Sequence, residues 1–174
     1  MEATSLRYGR TARALHWVMA LIILPLLLLG NSTMGNHDAR WLPSLHASAG
    51  LTIVLILAFR VFWRWKYPPP KPLATSQWDV VASKSAHMLL YAAMLIIPLT
   101  GWLAYTEHVM RSLGVRPASW FGFRIPLLPD FGINWHFIHN WGGKLALALV
   151  ALHVAAALKH HFWNKDHTLK RMLP

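Results

Sequence analysis

Four stretches of this chain are too long and too poor in charge for a water-soluble domain, and they decide its architecture. No charged side chain other than the ionisable His16 and His37 lies between Arg13 and Asp38, and the windows from Arg40 to Arg60 and from Lys84 to Glu107 likewise hold no Asp, Glu, Lys or Arg. A fourth, from about Phe131 to Leu158, is interrupted only by Lys144 and by histidines. Each supplies the roughly 20 apolar residues that a bilayer-spanning helix requires. With 55% hydrophobic and 13% charged residues, the 174-residue chain reads as an all-α integral membrane protein, one four-helix domain over residues 1–174.

The net charge of +11 raises the question of nucleic acid, and its placement answers against it. Arg7, Arg10 and Arg13 precede the first helix; Arg60, Arg64, Lys66, Lys71 and Lys84 flank the connection between the second and third; Lys159, Lys165, Lys170 and Arg171 follow the fourth. All three groups fall on one side of the membrane, which by the positive-inside rule makes both termini cytoplasmic. The opposite side carries Arg40, Arg111, Arg116 and Arg124, either scattered loop charge or a positive funnel for a small anion. The chain has no cysteine, so disulfides, thiolate-bound clusters and covalent heme attachment are excluded. The first apolar stretch is long and lacks a small-residue cleavage site, so it is expected to stay in place.

The expected helices run from Thr11 to Asn31, from Pro43 to about Trp65, from about Trp78–Lys84 to Tyr105, and from Trp135 past Leu158. Three adjacent prolines, Pro68 to Pro70, make a stiff connector after helix two. The segment from Thr106 to Asn134, broken by Pro117, Pro126 and Pro129, is expected to form an external cap with Trp120, Phe121 and Phe123 at the interface.

Ionisable residues inside such helices are expensive and mark function, and four histidines, His16, His46, His139 and His153, lie within or at the lip of the spans. Histidine is a common axial ligand of heme iron. His139 and His153 are fourteen residues apart on one helix, so they share a face and stand about 21 Å apart along its axis. Ligands of one iron must lie at one depth. His46 and His139 both begin helices on the external side; His16 begins helix one on the cytoplasmic side, a level that His153 approaches. Two noncovalent heme b groups, each between a histidine pair, are therefore expected, with Ala47, Ser48, Ala49, Gly50, Gly142 and Gly143 giving a flat macrocycle room.

His87 competes for the cytoplasmic heme from helix three, and His160 lies seven residues beyond His153 on the same face. Either is a candidate to protonate a quinone beside that heme, or simply a headgroup-level residue. Lys144 either snorkels outward or neutralises a propionate of the external heme. His37, His108, His136, His161 and His167 read as loop, interface or tail residues. A proton or ion transporter using intramembrane histidines is the competing class without iron.

The chain resembles the bacterial cytochrome b561 family, and within it the superoxide oxidase type. The resemblance is carried by Ala14-Leu-His-Trp17, Leu45-His-Ala-Ser-Ala-Gly50, Arg64-Trp-Lys-Tyr-Pro68, Ala86-His-Met-Leu-Leu-Tyr91 and, most specifically, Leu152-His-Val-Ala-Ala-Ala-Leu-Lys-His-His-Phe-Trp163, followed by Asp166-His-Thr-Leu169 and Arg171-Met-Leu-Pro174. It is similar also to the cytochrome b subunits of formate dehydrogenase and hydrogenase. The resemblance implies two heme b groups, ligated by His16 with His153 and by His46 with His139, in the bacterial inner membrane. It further implies oxidation of superoxide at the periplasmic face and reduction of ubiquinone near the cytoplasmic heme, with His87 and His160 as quinone candidates. The alternative is a diheme anchor relaying electrons between a partner redox protein and the quinone pool.

Overall fold

The computed structural model describes residues 7–33, 41–71, 73, 76–111, 119–121, 123–124, 126–129 and 131–173; the side chains of 31–33, 41, 107–111 and 119 lie outside that description. Four α-helices, α1 (Arg10–Thr33), α2 (Trp41–Lys66), α3 (Gln77–Arg111) and α4 (Trp135–Phe162), account for nearly all of it. All four are long and apolar enough to cross a membrane. The helix backbones neighbour one another as a closed ring, α1–α2–α3–α4–α1, and among the described residues the diagonal helices meet through side chains alone.

Almost nothing is buried inside the bundle, and the large apolar side chains point outward, Leu21, Leu28, Leu145 and Leu152 among them. That inversion of a soluble fold is expected where lipid covers the outside, since lipid tails are as apolar as leucine. The small core is Met19, Ile53 and Leu57, packed by Ile22, Leu26, Tyr91 and Met94. It fills the middle of the bundle, between the levels of His16 and His46.

Local chemistry sets the helix ends. Asn134 caps α4, its side-chain oxygen accepting from the Phe137 amide at 2.9 Å, which satisfies one of the free donors of the first turn. Pro43 falls in the first turn of α2, where its missing N–H costs nothing. Lys159, His160 and His161 lie in the last turn of α4, the favourable sign for its C-terminal dipole.

Helix α3 departs from expectation by running to Arg111 rather than ending near Tyr105. Within this helix the buried Thr106 hydroxyl is satisfied by donating to the Trp102 carbonyl at 3.0 Å. Loss of hydropathy marks where the bilayer ends, not where a helix must. The second departure is a two-residue antiparallel pair, β1 (Ser119–Trp120) with β2 (Phe123–Arg124), turning through Phe121 at φ 45°. The hairpin is pinned to the bundle by Trp120 Nε1 donating to Thr52 Oγ1 at 3.2 Å, and Trp102 Nε1 holds the Pro126 carbonyl at 2.8 Å. His37, Arg40 and Arg116, and the side chains of His108 and Arg111, lie outside the described residues.

Both ends of the chain meet at one end of the bundle, here termed proximal. After α4 the chain turns through Lys165 (φ 53°) and folds back beneath α1. Arg13 Nη1 donates to the Leu173 carbonyl at 2.6 Å, Trp17 Nε1 to the Met172 carbonyl at 2.8 Å, and Arg171, itself buried, reaches the Lys71 carbonyl at 3.0 Å. This strap closes the proximal end against the proline connector.

Candidate functional site: two histidine pairs

The ring of helices sets four histidines facing one another in two pairs. At the distal end, His46 of α2 and His139 of α4 have ring centroids 6.0 Å apart. At the proximal end, His16 of α1 and His153 of α4 are 6.3 Å apart. Metal–imidazole bonds are about 2.0–2.1 Å, so two imidazoles on opposite sides of one metal should have ring centres roughly 6 Å apart. Among the described residues no group of three or more His, Asp or Glu side chains could hold a bare metal ion; the donor sets are pairs, as a macrocycle that fills four positions itself would need.

The distal pair is built most tightly. His139 Nδ1 donates to the Ile97 carbonyl of α3 at 3.0 Å, which assigns the proton to Nδ1 and leaves the Nε2 lone pair for a metal. A Cβ on Gly101 of α3 would stand 2.7 Å from His139 Cε1, and one on Gly30 of α1 would stand 3.2 Å from His46 Cε1. Each of the two rings thus rests on a glycine of a neighbouring helix. Of the small residues expected to make room, Gly142 packs on Ile97 and Gly50 faces Pro98, whereas Gly143, one turn beyond His139, has nothing within 4 Å. The residues at this level fit a heme b: two opposed imidazoles, one tautomer set by a carbonyl, and open space beside the ligand helix.

The proximal pair is more crowded. His87 of α3 packs edge-on against His153 with ring centroids 5.5 Å apart, and its Nδ1 donates to the Ser83 carbonyl at 2.6 Å. Three imidazoles therefore meet at this level, as the competition between His16 and His87 anticipates. Arg60 of α2 joins them, its Nη2 lying 3.5 Å from His16 Nδ1. The linear pattern gave Arg60 only a topological role, as the first of three cations, with Arg64 and Lys66, near the end of α2; what sets it apart is the inward turn of its side chain toward His16. His160 is not in this cluster. One face-repeat below, its Nδ1 donates to Asp166 Oδ2 at 2.5 Å, while the Thr168 amide donates to Asp166 Oδ1 at 2.8 Å. Partial burial pushes the Asp166 carboxyl up, but hydrogen bonds from Thr168 and His160 outweigh it and hold the group down at about 2.

Lys144 is exposed, its ammonium 4.5 Å over the Trp141 ring. Five residues from His139, it stands about 140° round the helix, on the flank of the distal pair rather than between its rings. Arg124 is exposed on β2, and His136, His161 and His167 lie at the ends of α4 and in the strap.

Comparison with known proteins agrees with this geometry. The family model described as prokaryotic cytochrome b561 matches residues 7–174. The chain is 36% identical over 177 residues to cytochrome b561 homolog 2 of Escherichia coli K12, covering 96% of this chain and 91% of that protein, and 28% identical to homolog 1 of the same strain. It is 24% identical over 180 residues to the probable superoxide oxidase CybB of Yersinia pestis, covering 97% and 96%. A bundle of four membrane-spanning helices with histidines opposed inside it is what a b-type heme protein of membrane electron transfer requires, and this chain belongs to the prokaryotic cytochrome b561 family.

Proposed function

We propose that the chain is a diheme cytochrome of the bacterial inner membrane, carrying electrons from superoxide at its distal, periplasmic end to ubiquinone at its proximal, cytoplasmic end. The observation that carries this reading is the presence of two opposed histidine pairs, 6.0 and 6.3 Å between ring centres, at two depths of one bundle. In balanced form, two superoxide ions and one quinone take up two protons and give two dioxygen molecules and a quinol. Heme b, held by His46 with His139 and by His16 with His153, would supply one-electron transfer at the two levels.

The chain's own residues supply the rest. His139 and His46 hold the distal level, with Ile97 and the two glycines orienting the rings. The apolar core of Met19, Ile53 and Leu57 excludes water between the levels, which keeps protons from following the electrons. His16 and His153 hold the proximal level, and His87 presents a protonatable ring beside them. With Nδ1 of His87 and of His160 each donating to an oxygen acceptor, Nε2 of each ring keeps a lone pair that can take up a proton and hand it on to a reduced quinone. Arg124 belongs to the positive distal surface that draws in the anion. Lys144, expected at the external propionate, instead rests its ammonium over the Trp141 ring on the distal flank. The family and the 24% identical relative named a probable superoxide oxidase support the reading.

The test is a reduced-minus-oxidised spectrum of the detergent-purified chain with heme quantified per chain, followed by superoxide reduction and ubiquinone reoxidation. Two hemes reduced by superoxide and reoxidised by quinone are expected. Two hemes indifferent to superoxide would replace the enzyme by a relay anchor for a partner dehydrogenase, and a heme-free chain would sink both.

A further inference from the structure

Arg60 is a cation in the wrong place for a topology signal. It lies six residues inside the end of α2 and is half-buried. Its guanidinium is turned into the bundle, where it touches three groups only at the limit of hydrogen bonding. Nε donates to Tyr91 Oη at 3.4 Å, Nη1 to the Ala12 carbonyl at 3.4 Å, and Nη2 faces His16 Nδ1 at 3.5 Å. A guanidinium has five donors and keeps its charge at any accessible pH. The ion pair described in this structure joins His160 to Asp166, and no described carboxylate lies within ion-pair distance of Arg60. A charge withdrawn from water without an anion is strongly unfavourable, and intramembrane cations pair with something.

The His16 contact says what is missing. To offer the Nε2 lone pair to a metal, a neutral His16 must carry its proton on Nδ1, as His139 and His87 do toward carbonyl oxygens. Nδ1–H and the Arg60 N–H groups would then be donors facing each other, and only an acceptor bridging both resolves the conflict. A cavity of about 30 Å³ lies against Arg60, lined also by Leu15, Tyr91 and Met172, and shares Tyr8, Ala12 and Trp63 with a cleft of about 260 Å³, so there is space beside the guanidinium.

We propose that Arg60, supported by the Tyr91 hydroxyl, is the seat for a propionate carboxylate of the proximal heme. This rests on the diheme reading above. Ligation by His16 delivers that carboxylate to the level where the guanidinium waits, and no other anion is brought there by the same event. The cation also favours the reduced, less positive iron. The distal pair has no counterpart among the described residues, because the Lys144 ammonium sits over Trp141. Arg60 thus makes the proximal site the better electron acceptor and directs electrons from the distal to the proximal level.

The experiment is a redox titration of the full chain in detergent, with the distal component identified as the one missing from His46→Ala. In Arg60→Gln the proximal reduction equilibrium shifts at least tenfold toward the oxidised form, 59 mV for a one-electron couple, and the distal one is unchanged. Arg60→Lys keeps the charge and recovers most of the shift. If Arg60→Gln loses the proximal heme, Arg60→Lys decides: retention of two hemes near the native potential supports the seat, and the same loss with lysine overturns it. Two hemes at native potentials in Arg60→Gln overturn it outright, as does a variant whose only change is the loss of co-purified anionic phospholipid, which would make the guanidinium a headgroup site. A wild-type chain with fewer than two hemes would fail the diheme reading instead.

Discussion

The two ends of this bundle hold their histidine pairs at nearly the same separation and surround them differently. At the distal end each ring rests on a glycine from another helix, His139 is tied to a backbone carbonyl, and no described cation reaches between the rings. At the proximal end a third imidazole and a guanidinium crowd the pair, a cleft opens beside them, and a carboxylate–imidazole pair lies just below. One end is sterically set, with no described cation between its rings; the other carries an inward-turned guanidinium and a third imidazole. A center that only passes electrons needs the first environment, and a center that couples electrons to protons needs the second.

The severest challenge to that contrast is removal of one ligand from each pair. His139→Ala and His153→Ala should each leave one heme per chain, with the reduced-minus-oxidised band about halved by loss of one of two equal chromophores, and superoxide-driven quinone reduction abolished in both. Loss of both hemes from either variant would mean that the levels are not independent. Next in size is the glycine seat. Gly101→Ala puts a methyl 2.7 Å from the His139 ring and should weaken distal heme binding about 10- to 100-fold, the scale of an outer-shell defect. Gly30→Ala, at 3.2 Å, should cost less. Heme titration of the apoprotein ranks them, and the reverse order would break the account of the distal site.

His87→Ala should spare both hemes and slow quinone reduction by roughly 10- to 100-fold, the low end for a lost proton donor, because His160 remains. Stopped-flow reoxidation by ubiquinone reads this; a lost heme would instead make His87 a ligand in place of His16. The smallest effect concerns acid. The folded Asp166 carboxyl, at about 2, lies below its ordinary 3.8, so its contribution to the strap is complete above about 4 and is lost as pH falls through 2. Hydrogen-exchange protection of the Thr168 amide should follow that decline, and Asp166→Asn should remove the pH step.

Much of this was legible in the linear pattern because the membrane does part of the folding. Uncharged windows of one bilayer's length specify four helices, and a fixed rise per residue turns sequence position into depth, so that His46 with His139 and His16 with His153 can be matched before any helix is packed. What depth does not encode is rotation. Gly30, Ile97, Gly101 and Arg60 act on histidines of other helices, and which neighbour faces them depends on how the bundle closes. The small residues beside the ligands were visible, yet Gly50 and Gly142 serve helix packing against α3. The hairpin at Trp120 and Phe123 is two residues a side, too short for any periodicity, and the end of α3 was misplaced because hydropathy stops at Tyr105 while backbone hydrogen bonding continues.

The strap beneath α1 also imposes an order on assembly. Trp17 and Arg13 are made well before the carbonyls they donate to, which lie 155 and 160 positions later. At about 5–20 residues per second on the ribosome, the first helix waits roughly 10–30 s with those donors facing headgroups and water. The proximal end is therefore late to lock, and until it does a large planar ligand has an open route to His16.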